Sequence, residues 1–206
     1  MNAGERLRSA AGVQRVPTPK LELFVVRDFL EETACAALIA LIDARHRPSQ
    51  IADDQGIAEF RTSETCDLDP SEPVVAEVDR AIAELLGIPL GLSEPMQGQR
   101  YAPGQEFKPH TDTFEPTGAD YYLHCAESGN RSWTAMIYLN EPEEGGATRF
   151  RTIGKTIHPE TGKLLTWNNL LADGRPNPAT LHQGMKVRRG TKYIVTKWFR
   201  ERPVPR

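Results

Sequence analysis

Apolar positions along the chain fall into two textures. Up to about residue 95 they recur at helical spacing, and beyond it they alternate in short runs bounded by turn formers. Residues 1–20 are polar, carry Pro17 and Pro19, and predict a flexible N-terminal arm. Leu21-Glu22-Leu23-Phe24-Val25-Val26 reads as a strand. Glu31 to Arg47 predicts a helix with Ala34, Ala37, Leu38, Leu41 and Arg45 on one face, stopped by Pro48. Residues 49–72 are polar and irregular. A second helix is expected to be capped by Ser71, with Pro73 in its first turn, an apolar stripe of Val75, Val78, Ile82 and Leu85, and its end at Gly87. Both stripes are packing surfaces, so the two helices are expected to cover one side of a sheet.

After residue 95 the strand-like runs are Met96–Tyr101, Phe107–Asp112, Ser132–Leu139, Ala147–Arg151, Lys163–Trp167, Ala179–Val187 and Tyr193–Phe199. Short strands at this spacing predict a β-sandwich or barrel. No repeat or linker divides the chain, so residues 21–206 form one domain, with helical support over about 21–95 and a β core over about 96–200. Thr113 to Arg131 (TFEPTGADYYLHCAESGNR) is long and aromatic, which favours a functional lid over an idle insertion. Asn168 to Asn177 is a second polar loop.

The composition excludes several classes. With 206 residues, 39% hydrophobic and 26% charged, the chain can bury a core without staples. No apolar run approaches the roughly 18 residues of a membrane span, and the N-terminus lacks the apolar stretch of a secretory signal. Cys35, Cys66 and Cys125 are odd in number and widely spaced, so neither a disulfide framework nor a CxxC zinc site is expected, and the expected location is cytoplasmic. A net charge of −3 argues against a nucleic-acid partner. A monomer or homodimer is expected.

The chemistry centres on histidine. His110-Thr111-Asp112 sets an imidazole and a carboxylate two residues apart, which in a strand puts both on one face. The bare pair is also common as a surface hydrogen bond. His182 lies in a late strand-like run, and two histidines with one carboxylate are the facial triad of non-haem Fe(II) oxygenases. Such a triad fills one face of an octahedron and leaves three positions for a chelating co-substrate and dioxygen. Lys192 follows His182 by ten residues; Gly190 permits a turn that returns Lys192 on the neighbouring strand, where it can meet the far carboxylate of a chelated dicarboxylate. Tyr101 and Thr134 can add hydroxyl donors to that carboxylate.

From about Leu21 to Pro203 the chain resembles the prolyl 4-hydroxylase-type catalytic domain of the Fe(II)/2-oxoglutarate dioxygenases. The resemblance rests on Arg100 to Asp112 (RYAPGQEFKPHTD), Thr134 to Asn140 (TAMIYLN), Glu144 to Phe150 (EGGATRF), the segment His182 to Trp198 with Gly190 and Lys192, and Phe24 to Leu30 (FVVRDFL). It implies iron ligation by His110, Asp112 and His182, and binding of the C5 carboxylate of 2-oxoglutarate by Lys192 with Tyr101 and Thr134 assisting. It implies a double-stranded β-helix, a jelly roll, making the whole mainly β with N-terminal helices packed on one face. It also implies Fe(II), 2-oxoglutarate and O2 as reaction partners, ascorbate as reductant, and hydroxylation of a prolyl residue in a peptide or protein, with 2-oxoglutarate decarboxylated to succinate and CO2. Related halogenases lack the carboxylate ligand, so Asp112 favours hydroxylation. Phe107 stands where several members carry tyrosine, Lys186 stands where proline is frequent, and the 113–131 segment is long; all three bear on substrate choice.

Substrate-contact candidates are Tyr121, Tyr122 and His124 in the expected lid, Trp198, whose alternative role is core packing, and Arg61, whose alternative role is anchoring a loop. Two rival functions differ in class. The same cofactors can serve a free amino acid or other small molecule, which a cavity roofed by Tyr121 and Tyr122 would favour over an open peptide groove. A jelly-roll module holding a metal without turnover is the other, but such a site has no need of Lys192.

Overall fold

In the computed structural model, which describes residues 1–49 and 61–205, the strands form two facing sheets with helices on the back of the larger one. The chain opens with α1 (Ala3–Ser9), β1 (Val13–Arg15), β2 (Leu23–Val26), α2 (Glu32–Arg45), β3 (Arg47–Pro48), β4 (Glu64–Asp67) and α3 (Pro73–Leu86). It continues with β5 (Gln97–Tyr101), β6 (Phe107–His110), α4 (Ala119–Cys125), β7 (Arg131–Tyr138), β8 (Glu144–Gly145), β9 (Thr148–Phe150) and β10 (Lys155–Ile157), and closes with β11 (Leu164–Asn168), β12 (His182–Gly184), β13 (Val187–Arg189) and β14 (Lys192–Arg200). The large sheet runs β1-β2-β11-β7-β14-β5-β4-β3 and the small one β10-β9-β12-β6, β13 and β8 pair in a separate two-stranded ribbon, and all pairs are antiparallel. This is the expected jelly roll.

The period-2 alternation of strands explains how one sheet serves two cores. On β7, Trp133, Ala135 and Ile137 face the helices, whereas Met136 and Tyr138 face the barrel interior. On β14, Tyr193, Val195 and Phe199 go to the helices, and Ile194 goes to the interior. All nine residues of β14 are buried, as a central strand covered on both faces requires.

Several expectations are corrected. The arm over residues 1–20 is structured: Asn2 and Glu5 form a reciprocal capping box on α1, Leu7 is fully buried in the helical core, and β1 pairs with β2. One apolar side chain and a cap suffice to dock a helix too short for a periodic signal. On α2 the buried face is Cys35, Leu38 and Ile42, while Ala37 and Arg45 are exposed, because small alanines blur the stripe. Ser71 does not cap α3; its backbone N–H bonds the Asp69 carboxylate, and the helix starts from Glu72 with Pro73 in its first turn. Gly87 ends α3 in the left-handed conformation as expected, and Leu86 replaces Leu85 in the stripe. The expected loop over 113–131 contains α4, and the run 179–187 splits into a 3-10 turn, β12 and the start of β13. The irregular stretch over 49–72 contains β4; its residues 50–60 lie outside the described residues.

Candidate active site

The small sheet carries the histidines. His110 ends β6 and His182 opens β12, and the two are register partners, so their rings meet with centroids 4.3 Å apart. Asp112 lies two residues past His110, and one ligand atom from each of the three residues lies within 4.8 Å of the others. Each imidazole is held by the same local device. His110 Nδ1 bonds the Lys108 carbonyl at 2.8 Å, and His182 Nδ1 bonds the Thr180 carbonyl at 2.9 Å. A carbonyl only accepts, so both Nδ1 atoms carry a proton, and it is Nε2 of each ring that a metal would take. Burial and the neighbouring His182 push His110 down to about 3, which keeps that ring neutral and able to ligate. Burial raises Asp112, but His182, His110, Arg131 and the Thr134 hydroxyl together hold it below the usual carboxylate range. Two neutral nitrogens and one carboxylate with an open side suit Fe(II).

Against the triad lies a small cavity of about 50 Å³ lined in part by Arg61, Tyr101, Phe107, Lys192 and Trp198. Lys192 is 1% exposed, and its Nζ lies 4.7 Å from the Tyr101 ring centroid. Burial alone lowers it to about 7, and among the described residues no carboxylate pairs with it. A buried ammonium without a counter-ion suits an anionic ligand. Lys192 does not reach the cavity on a strand beside that of His182: β14 belongs to the large sheet and β12 to the small one, so the lysine faces the triad from the opposite wall.

The other candidates divide. Tyr101 lines the cavity with its hydroxyl against Arg61 and Ser63. Thr134 does not: it is fully buried, and its hydroxyl donates to Asp112 Oδ2 at 2.7 Å, so it is engaged by that carboxylate and not turned to the cavity. Arg61 lines the cavity, donating to Ser63 at 2.9 Å and Thr65 at 3.1 Å and lying over Phe107, whose ring stacks on His110 at 3.6 Å. Its anchoring role is visible in those bonds, and its place in the wall keeps it available to substrate. Trp198 also lines the cavity, with the Arg131 guanidinium 3.9 Å above its ring. Tyr121, Tyr122 and His124 sit on α4 outside the cavity lining; Tyr122 is 75% exposed, and His124 stacks on Phe114. Among the described residues, neither Tyr121 nor Tyr122 roofs the cavity, the arrangement that would have favoured a small-molecule substrate.

Residues that the spacing did not single out complete the site. Arg131 makes a two-pronged bond to Glu94, at 2.7 and 2.8 Å, and touches the Asp112 carbonyl at 3.4 Å. Asn169 donates to Thr134 at 2.8 Å, and the Trp167 ring meets His182 at 5.0 Å. None belongs to a motif, and each partner is distant along the chain.

The comparisons with known proteins agree with this geometry. Residues 96–200 match the family model of the 2OG-Fe(II) oxygenase superfamily, and the chain belongs to that superfamily. Prolyl 4-hydroxylase subunit alpha-1 of Rattus norvegicus is 32% identical over 146 residues, covering 70% of this chain and 27% of that protein. The human subunit is 29% identical over 182 residues, covering 88% of this chain and 32% of that protein, so the chain spans about a third of such relatives. Among solved structures, the viral collagen prolyl hydroxylase of Paramecium Bursaria Chlorella virus-1 in complex with 2OG matches at 28% identity and TM-score 0.69, covering 86% of this chain and 95% of that one. A Pseudomonas putida prolyl-4-hydroxylase shares the fold at 22% identity and TM-score 0.64, covering 97% of each chain.

When bound, the metal and 2-oxoglutarate supply the oxidising chemistry of the superfamily. His110, Asp112 and His182 would hold the iron, and Lys192 would take a carboxylate of the co-substrate. Burial of Asp112, His182 and Lys192 limits the access of competing water to these contacts.

Proposed function

We propose that the chain hydroxylates a prolyl residue in a peptide or protein, with 2-oxoglutarate converted to succinate and CO2. The observation that carries the peptide reading is the absence of an aromatic roof: among the described residues, neither Tyr121 nor Tyr122 closes the cavity, so an extended chain can approach it. The similarity to prolyl hydroxylases over most of the chain supports the prolyl reading. Ascorbate is proposed as the reductant, and three buried free thiols fit a reducing, cytoplasmic setting. A monomer or homodimer remains the proposed assembly.

A second reading keeps the cofactors and takes a small carboxylate-bearing substrate. It is favoured by Arg61, a cation in the cavity wall that forms no ion pair among the described residues. Both readings are tested by succinate release with Fe(II), 2-oxoglutarate, ascorbate and air. Stimulation by a proline-rich peptide, abolished in His182→Ala, is the expected result. Stimulation by free proline but not by the peptide would replace the first reading with the second.

A further inference from the structure

The carboxylate ligand is held by a buried polar relay. Asp112 Oδ2 accepts from Thr134 Oγ1 at 2.7 Å, and Thr134 Oγ1 accepts from Asn169 Nδ2 at 2.8 Å. Thr134 and Asn169 are fully buried, and Asp112 is 6% exposed. The relay has one direction. A carboxylate accepts only, so the single hydroxyl proton of Thr134 points at Asp112, and the hydroxyl oxygen is then free to accept from the amide. The backbone fixes the source: Asn169 N–H bonds the Ser132 carbonyl at 2.8 Å, and the Asn169 carbonyl accepts from Asn177 at 2.9 Å. The Thr134 carbonyl accepts from Thr166 at 2.8 Å. The other half of the amide, Oδ1, is buried with no partner among the described residues. A half-satisfied buried amide is costly, and leucine of similar volume would avoid that cost. The side chain is therefore explained by the N–H it gives to Thr134.

The relay occupies Oδ2 and leaves Oδ1 on the imidazole side, 4.0 Å from His110 Nε2. A carboxylate free to turn can grip a metal with both oxygens and fill one of the positions a facial triad leaves open. We propose that Asn169 is a positioning residue which, through Thr134, holds Asp112 as a one-oxygen ligand and so keeps a coordination position open for 2-oxoglutarate. This rests on the superfamily reading of the iron site.

The test is anaerobic. Fe(II) affinity is measured first, and 2-oxoglutarate affinity is then read from the visible charge-transfer absorption of the Fe(II) complex. Asn169→Leu is expected to bind Fe(II) as tightly as the parent or tighter, and to lose about tenfold in 2-oxoglutarate affinity, at the lower end of effects from groups that orient metal ligands. Thr134→Val should behave alike, Thr134→Ser should restore the parent values, and the double variant should be no worse than Thr134→Val alone, because one link acts through the other. Thr134→Val carries the same expectation if Asn169→Leu does not fold. Unchanged 2-oxoglutarate affinity, a parallel loss of both affinities with a lower melting temperature, or additive losses in the double variant would overturn the proposal. A parent protein that shows no charge-transfer band with Fe(II) and 2-oxoglutarate would instead sink the superfamily reading of the site.

Discussion

Lys192 keeps an ammonium in the wall of a cavity with aromatic rings around it and, among the described residues, no counter-ion. Two outcomes are expected from that one side chain. Lys192→Met should weaken 2-oxoglutarate binding about 10- to 100-fold, the value of a lost charge-assisted hydrogen bond, as read by calorimetry. It should also change how stability depends on pH. The folded lysine titrates at about 7 and the unfolded one near 10.5, so between these values the unfolded chain binds more protons. Stability of the ligand-free protein therefore rises with pH across that window, by at most about 1.4 kcal/mol per pH unit. Melting temperatures at pH 7 and 9 should show the rise in the parent and lose most of it in Lys192→Met. At this scale the sequence was legible where chemistry is local. The His-x-Asp pair, His182 and Lys192 were readable from spacing, whereas Thr134 was assigned to the wrong partner because its hydroxyl is claimed by a residue 22 positions away.

Among the elements, β14 joins site to scaffold. Its even residues, from Lys192 to Trp198, line the cavity, and Lys197 points the other way to meet Asp79 of α3 at 2.7 Å. Both side chains are under a tenth exposed, and burial raises Asp79 and lowers Lys197. Asp79→Ala, which strands the ammonium, is expected to cost about 3–5 kcal/mol in urea unfolding, whereas Asp79→Leu combined with Lys197→Met should recover most of that loss. A second join is Gly162, at φ +75°, whose carbonyl accepts from Phe29 and Leu30 and where a Cβ would sit 2.2 Å from the Leu30 carbonyl oxygen. Gly162→Ala should destabilise by more than about 1 kcal/mol, checked by thermal unfolding, since both the dihedral and the clash oppose it. The strands were legible because period-2 runs are local, and the α2 face was not, because alanines weight no side of a helix.

For the whole molecule, the division of labour between helical core and barrel interior predicts that stability and catalysis separate. Leu7 is fully buried in the helical core, α1 is tied to α3 by Arg6 Nε donating to the Glu84 carbonyl, and no residue of α1 lines the cavity. Leu7→Ala is expected to lose about 2–5 kcal/mol of stability by denaturant unfolding while leaving Fe(II) and 2-oxoglutarate affinities at the parent values at a permissive temperature.

By itself the sequence determined where most strands of the core run along the chain and which residues, His110, Asp112, His182 and Lys192, are the candidates for the site, because backbone periodicity and motif spacing act over a few residues. Tertiary structure alone decided the docking of α1, the exposure of Tyr122, the placing of Lys192 on the sheet opposite His182, and the relay from Asn169 to Asp112. These depend on which strands become neighbours: β7 and β11 pair so that Asn169, just past the end of β11, meets Thr134 on β7, 35 residues apart in sequence, and no local pattern encodes that meeting.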